Sequence, residues 1–396
     1  MPIIFVPGVK ASQLYDSYPL DQERVWGRTF RDFVWGGGID HLELRDGLYD
    51  ASDERVLEPR GTIGYAYGRA IEHLRSAFGP RVYIFTYDWR KSNDDNARRL
   101  ERFVRHLEGK LALRRTGERV AFVTHSMGGL VVRSLITLLG GKKAFERIGP
   151  LVFVAPPFRG SLDVVRLLVA GEESDGWFGD DESYRKIGRT LPSTYQLIAN
   201  WPGSVVWKGS GGDVDLFEYG NWQANVQRPG ALRPELLERA RALRTGRGVR
   251  RATREGQEPP VPIAPDRLLA RPDEVVVLLT EGARTFERVE VDAENPANRN
   301  WFDFAGMTRT RAGDGRVHLR SGALEGAVLG IFRDVGGHGT LLRNSRVYLA
   351  VEQALRDPSK VLMMKPRTAG MSAENRRRRY FPVWDGDPAS FDHHRP

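Results

Sequence analysis

The chain has 396 residues, 40% of them hydrophobic, with a formal net charge of +9 at pH 7 and no cysteine. That length suffices for a large core, and the missing cysteines exclude a disulfide framework, a thiolate metal site and a cysteine nucleophile. Mean hydropathy is −0.44, and no apolar run approaches the ~20 residues of a membrane span.

Short β-branched runs alternate with helical patterns, which predicts a mostly parallel sheet flanked by helices. The chain opens Met-Pro and enters the apolar run Ile3–Val6, too short for a signal h-region and read as a core strand. A helix is expected over Tyr67–Phe78, a strand over Val82–Thr86 and a helix over Asp94–Arg115. The strand Val120–Thr124 leads into a helix over Gly128–Leu139. The strand Leu151–Ala155 leads into one over Ser161–Ala170.

The alternation then stops. Trp177, Trp201, Trp207 and Trp222 are four of the nine tryptophans, and they stand with Phe178, Tyr184, Tyr195, Phe217 and Tyr219 in a Gly-, Pro- and Asp-rich stretch. An amphipathic segment, Leu232 to Leu243, runs into the arginine-dense piece 244–265. Strands resume at Glu274–Leu279 and Val328–Phe332, with a further pair around Thr285–Val291 and Asn300–Phe304. A helix is expected over Thr340–Leu355. The organisation expected is a core of residues 1–170 and 273–358, a cap or lid inserted at 171–272, and a basic C-terminal extension over 359–396. The extension holds Arg376 to Arg379.

The motif that carries chemistry is Val120-Ala-Phe-Val-Thr-His125-Ser126-Met-Gly128. An apolar strand runs straight into a helix with a serine at the corner, the arrangement of a nucleophile elbow in an α/β-hydrolase fold. Strand and helix approach closely there, so the flanking residues must be small. Gly128 meets that demand, whereas Thr124 stands where glycine is usual.

A serine hydroxyl needs a base, most often a histidine held by a carboxylate, in the chain order serine, acid, histidine. His338, in Gly336-Gly-His-Gly-Thr340 after an apolar strand, is the expected base. His318 alternates with Val317 and Leu319 in a strand pattern and reads as structural. His393 and His394 lie in the tail. For the acid, Asp314 between two glycines fits, but an Asp-Gly turn is also common, and Asp292 and Asp303 are rivals. The oxyanion hole needs two backbone N–H groups. Met127, after the nucleophile, should supply one, and Val9, in the Pro7-Gly8 turn after the first strand, the other.

Taken together, these pieces resemble the lecithin:cholesterol acyltransferase family. The matching stretches, in order, are Phe5-Val-Pro-Gly-Val-Lys-Ala-Ser-Gln-Leu14, Tyr87-Asp-Trp-Arg90, Thr124-His-Ser-Met-Gly128, Ala155-Pro-Pro-Phe-Arg-Gly-Ser161, Leu191-Pro-Ser-Thr-Tyr195, Gly313-Asp-Gly-Arg-Val317 and Gly337-His-Gly339. They span roughly residues 3 to 356. The resemblance implies that Asp314 completes the triad, that the Val9 and Met127 amides form the oxyanion hole, and that the insertion is a lid. Arg316 departs from the family's usual threonine.

The expected activity is a serine esterase or lipase acting on lipid acyl esters through an acyl-enzyme. A lipid O-acyltransferase with the same triad and a non-catalytic binding protein on the same scaffold are the alternatives. No metal or organic cofactor is called for. A lipid or other ester is the expected substrate, with transient contact to a membrane surface, and the dispersed arginines come with no nucleic-acid motif. The cap aromatics could line an acyl groove or form the cap's own core. Lack of cysteine suits a reducing compartment. Without a signal peptide or membrane span a cytoplasmic location is expected, and export by a route that needs no signal is compatible with it.

Overall fold

Ile3, Ile4, Phe5 and Val6 are all fully buried, which a strand achieves only when both faces of its sheet are covered. In the computed structural model they form β1 (Ile3–Val6). The structure describes residues 1–27, 39–171, 181–227, 231–245, 271–293, 300–324 and 326–358. Trp177, Phe178, most of the arginine-dense piece, Arg376 to Arg379, His393 and His394 lie outside the described residues.

After β1 come β2 (Ser12–Asp16), β3 (Glu23–Trp26), β4 (Leu44–Arg45), β5 (Tyr49–Asp50), β6 (Leu57–Thr62), β7 (Val82–Ile84) and β8 (Val120–His125). They are followed by β9 (Ile148–Val154), β10 (Val205–Trp207), β11 (Val275–Glu281), β12 (Thr285–Val291), β13 (Thr308–Thr310) and β14 (Val328–Arg333). Six of them make one sheet in the order β14-β11-β9-β8-β1-β7, and every pairing in it is parallel.

Side chains alternate across this sheet with the strand period of two. Ile4, Val6, Val120, Phe122, Val275 and Val277 enter one core, together with Leu100, Val104, Leu130 and Leu135 from the helices Asn93–Lys110 and Gly128–Leu138. Ile3, Phe5, Ala121, Val123, Val276 and Leu278 enter the other, against the helices Gly64–Phe78 and Ser345–Arg356. The sheet is thus wound on both faces, which is the α/β-hydrolase architecture read from the alternation.

Helix ends follow local chemistry. Ser92 caps Asn93–Lys110 by accepting from the amides of Asp94 and Asp95. The helix expected to run to Arg115 stops at Lys110 because Ala112 turns to φ 51°, and a single further turn, Leu113–Thr116, follows. Ser161 is a cap rather than the first helical residue, and Asn344 caps the last helix. The helix expected from Thr340 is two pieces, a 3-10 turn His338–Arg343 and then Ser345–Arg356. The expected strand Asn300–Phe304 does not form. Phe302 makes a single bridge to Val291, and β12 pairs instead with β13.

Two features escaped the sequence reading. β2, β3 and β6 form an antiparallel sheet beside the core, although Pro59 and Gly61 interrupt the β6 sequence. A third core cluster joins residues 162–240 to residues 286–307, and β10 pairs with β12 across that divide. Trp201 and Trp222 are buried inside this cluster, with the Trp222 indole N–H donating to the Leu216 carbonyl at 2.8 Å. These two tryptophans serve a core of their own rather than the wall of an acyl groove.

Candidate active site

At the C-terminal end of β8 the chain must turn into the helix Gly128–Leu138 within two residues. Ser126 absorbs the turn with φ 51°, a left-handed conformation that a non-glycine residue rarely adopts and that is held only by its surroundings. Its amide donates to the Val154 carbonyl at 2.9 Å and its carbonyl accepts from Gly129 at 2.9 Å. Gly128 is required by closeness. A Cβ there would stand 2.6 Å from the Pro7 carbonyl oxygen and nearer still to that of Val6. Thr124 faces Gly129 without crowding: a Cβ at Gly129 would lie 3.5 Å from Thr124 Oγ1, an ordinary contact, but 3.0 Å from Pro156 Cβ. The Thr124 hydroxyl is buried with no hydrogen-bond partner.

The Ser126 hydroxyl meets His338 Nε2 at 2.8 Å, and His338 Nδ1–H meets Asp314 Oδ2 at 2.7 Å. Ser126 is 4% exposed and Asp314 2%. His338 opens the turn that follows β14, and its own amide donates to the Asp314 carbonyl at 2.9 Å. Asp314 Oδ1 accepts from the amides of Arg316 at 3.0 Å and Val317 at 2.8 Å. Burial alone would raise its pKa. The charge and hydrogen bond of His338 and the two amides overcome this and hold the carboxyl below its ordinary value.

The loop that carries Asp314 is pinned from outside. Thr285 Oγ1 accepts from the Gly315 amide at 2.9 Å. Ser161 donates its hydroxyl to the Arg316 carbonyl at 2.6 Å, and the Arg316 guanidinium reaches Asp163 at 3.3 Å. Arg316 therefore serves the loop through its backbone and an ion pair.

The other candidates stand apart. Asp292 pairs with Lys208 at 3.0 Å, and Asp303 accepts from the Gly306 amide at 2.8 Å. His318 is structural as expected, but it is not in a strand. It caps the short helix Leu319–Gly322 and its ring stacks on Trp201, centroids 5.6 Å apart.

The loop after β1 lies against Ser126, since a Cβ on Gly8 would stand 3.0 Å from Ser126 Cβ. Tyr87 holds this loop by donating its hydroxyl to the Pro7 carbonyl at 2.8 Å. Among the described residues, neither the Val9 nor the Met127 amide has a hydrogen-bond acceptor. Those are the two groups read as oxyanion donors.

Around the triad the sequence reading missed Tyr67, which accepts from the Gly8 amide at 3.1 Å and contacts His125 Nδ1 at 2.9 Å. It also missed any role for His125 beyond the elbow motif. Burial, and then the charge of His338, lowers the His125 pKa to about 3, so this ring is neutral. Nearby, Tyr87-Asp88-Trp89-Arg90 anchors the antiparallel sheet. Arg90 is fully buried, paired to Asp88 at 2.8 Å and to Asp50 at 2.6 Å, and Trp89 packs on Trp26 with ring centroids 5.2 Å apart. Among the described residues no group of three or more His, Asp or Glu is placed to hold a metal ion, and no helix is long and apolar enough to cross a membrane.

A family model for lecithin:cholesterol acyltransferase matches residues 77–215. Phospholipase A(1) LCAT3 of Arabidopsis thaliana is 25% identical over 263 residues, which is 54% of this chain and 57% of that protein. The chain thus spans little more than half the length of that relative. Among solved structures, the Tle4–Tli4 complex aligns with a TM-score of 0.51 at 15% identity, covering 90% of this chain and 98% of that one. At that identity the likeness concerns the fold. A Bacillus licheniformis lipase, BlEst2 in mature form, aligns at 12% identity over 90% of this chain and 91% of that one, with a TM-score of 0.40, too distant to carry an argument. The chain therefore has the α/β-hydrolase fold and, over residues 77–215, is similar to the lecithin:cholesterol acyltransferase family.

Proposed function

We propose that the protein is a serine esterase acting on lipid acyl esters. The observation that carries the reading is the chain of contacts from the strained Ser126 through His338 to Asp314, at 2.8 Å and 2.7 Å. Ser126 Oγ attacks the ester carbonyl while His338 Nε2 takes its proton. Asp314 holds the imidazole in the tautomer that can accept and stabilises the imidazolium that forms. The negative charge on the carbonyl oxygen falls to the Met127 and Val9 amides. His338 then protonates the leaving alcohol, and an acyl group remains on Ser126. Water, activated by the same histidine, releases the fatty acid and restores the serine.

A lipid substrate is supported by the Arabidopsis relative, whose name is that of a phospholipase A(1). Hydrolysis is favoured over transfer because it needs no second site for an acceptor alcohol. The residues 171–272 are read as a cap over the site. The test is fluorophosphonate labelling of wild type and Ser126→Ala, followed by fatty-acid release from a phospholipid panel with and without an added alcohol. Labelling should vanish in the variant and turnover should fall by ~10⁴-fold or more. An unchanged rate would overturn the assignment, and an acyl ester appearing with the alcohol would make the protein a transferase.

A further inference from the structure

The serine-esterase reading requires two loops at a fixed separation, the one after β1 that carries Val9 and the one after β14 that carries His338. Their strands are not neighbours: β11, β9 and β8 lie between them. No direct ladder of backbone hydrogen bonds therefore joins the two loops. A three-bond chain crosses the gap instead. The Gly8 amide meets Tyr67 Oη at 3.1 Å, Tyr67 Oη meets His125 Nδ1 at 2.9 Å, and His125 Nε2 meets the His338 carbonyl at 3.1 Å.

The two ends decide the direction of every bond. An amide can only donate, so Tyr67 accepts from Gly8 and its own hydrogen goes to His125 Nδ1. A carbonyl can only accept, so the remaining proton of His125 sits on Nε2. Both side chains are 3% exposed. Gly8 suits this close approach, because a Cβ would stand 3.1 Å from His125 Nδ1 and would press on it. The His125 ring lies over that of His338, centroids 4.8 Å apart, so a charged His125 would oppose the imidazolium that catalysis forms.

Resting on that esterase reading, we propose that Tyr67 and His125 are positioning residues, which tie the oxyanion loop to the base loop and keep the second imidazole in its neutral, Nε2-protonated form. The groups that face His125 are Tyr67 from the helix Gly64–Phe78, His338 from the turn after β14 and Asp314 from the acid loop. Tyr87 holds the same loop after β1 as Tyr67 does, through the Pro7 carbonyl. Burial, with the charge of His338, pushes the His125 pKa down to about 3, in keeping with a ring that stays neutral.

The test is the pH profile of kcat and KM on a 4-nitrophenyl ester for wild type, Tyr67→Phe, His125→Gln and the double variant, with circular dichroism to establish folding. Tyr67→Phe should lower kcat about 10-fold, the worth of one buried hydrogen bond, with little change in KM. It should also move the acid limb to higher pH, because His125 Nδ1 is released to take a proton. Glutamine can still donate to the His338 carbonyl but cannot titrate. The double variant should therefore keep the loss in kcat and regain the wild-type acid limb. A Tyr67→Phe profile that is merely scaled down, or a shifted limb that persists in the double variant, would overturn the proposal. Should Tyr67→Phe fail to fold, a folded His125→Ala decides, since it removes both bonds of the tether and an unchanged kcat there would equally sink the proposal. Failure of the esterase reading would look different: Ser126→Ala would turn over the ester as wild type does.

Discussion

Replacing Asp314 by asparagine changes one group in a site whose geometry is fully specified. The carboxylate accepts three hydrogen bonds, from His338 Nδ1 at 2.7 Å, Val317 at 2.8 Å and Arg316 at 3.0 Å. All three partners are donors. Asparagine is nearly the same shape, and its carbonyl oxygen can keep the two amides. Its NH₂ then faces His338 Nδ1, and two donors cannot share one bond. The imidazole answers by moving its proton to Nε2, where it faces the Ser126 hydroxyl and can no longer accept from it. The fold should survive while the base is lost. We expect kcat to fall ~10⁴-fold, or ~5.4 kcal/mol of transition-state stabilisation. The assay is hydrolysis of a chromogenic ester together with the rate of fluorophosphonate labelling, on protein shown by circular dichroism to be folded. A folded variant that loses less than about tenfold would refute the role given to Asp314 and reopen the search for the acid.

Two further predictions concern stability. Thr124→Val replaces a buried hydroxyl that has no partner with a methyl group of the same shape. It should raise the unfolding free energy by ~1 kcal/mol with labelling of Ser126 unimpaired, and a loss of that size in urea unfolding would show that the hydroxyl is used. Arg90→Leu strips Asp88 of its buried cation and should cost ~3–5 kcal/mol at neutral pH. The pH dependence gives the sign of the effect. Burial opposes ionisation of Asp88, yet the charge and hydrogen bonds of Arg90 hold its carboxyl below the ordinary value. Its contribution in wild type is thus present above an unfolded pKa of ~3.9 and is lost as pH falls through the lower folded value. In Arg90→Leu only Lys91 at 3.8 Å and the backbone amide at position 90 still oppose burial, so the folded pKa rises and acidification relieves the strain. The gap between variant and wild type should narrow on going from about pH 7 to about pH 4, and a gap that widens would contradict the pairing.

Much of the core was legible because its signals are local. Ile3–Val6, Val120–Thr124 and Val275–Leu279 are continuous apolar runs, and such runs suit strands buried on both faces. Ser126 was legible for the same reason, since the elbow needs a strand, a small residue at Gly128 and a helix within a few positions. His338 followed from a glycine-rich loop after a strand. Asp314 did not: an Asp-Gly turn looks alike whether or not a histidine faces it, and Asp292 and Asp303 stayed open until the resemblance chose between them.

What lay beyond the sequence is what depends on residues far apart in the chain. Tyr67 looks like an ordinary core tyrosine of an amphipathic helix, and its hydroxyl acquires a role only where it meets Gly8 and His125, the latter 58 positions away. His125 reaches the His338 carbonyl across 213 positions. The small sheet of β2, β3 and β6 was hidden because its strands are short, polar on one side and broken by Pro59, so pairing with one another rather than intrinsic preference makes them strands. Trp201 and Trp222 could have lined a groove or filled a core, and the aromatic content is the same in both cases. Only the pairing of β10 with β12, which brings residues 286–307 onto this insertion, buries them. Period and motif wrote the sheet and the turn at Ser126 into the chain, whereas the shell that holds the candidate site together came from packing, because a hydrogen bond is specified by where its partner arrives in space.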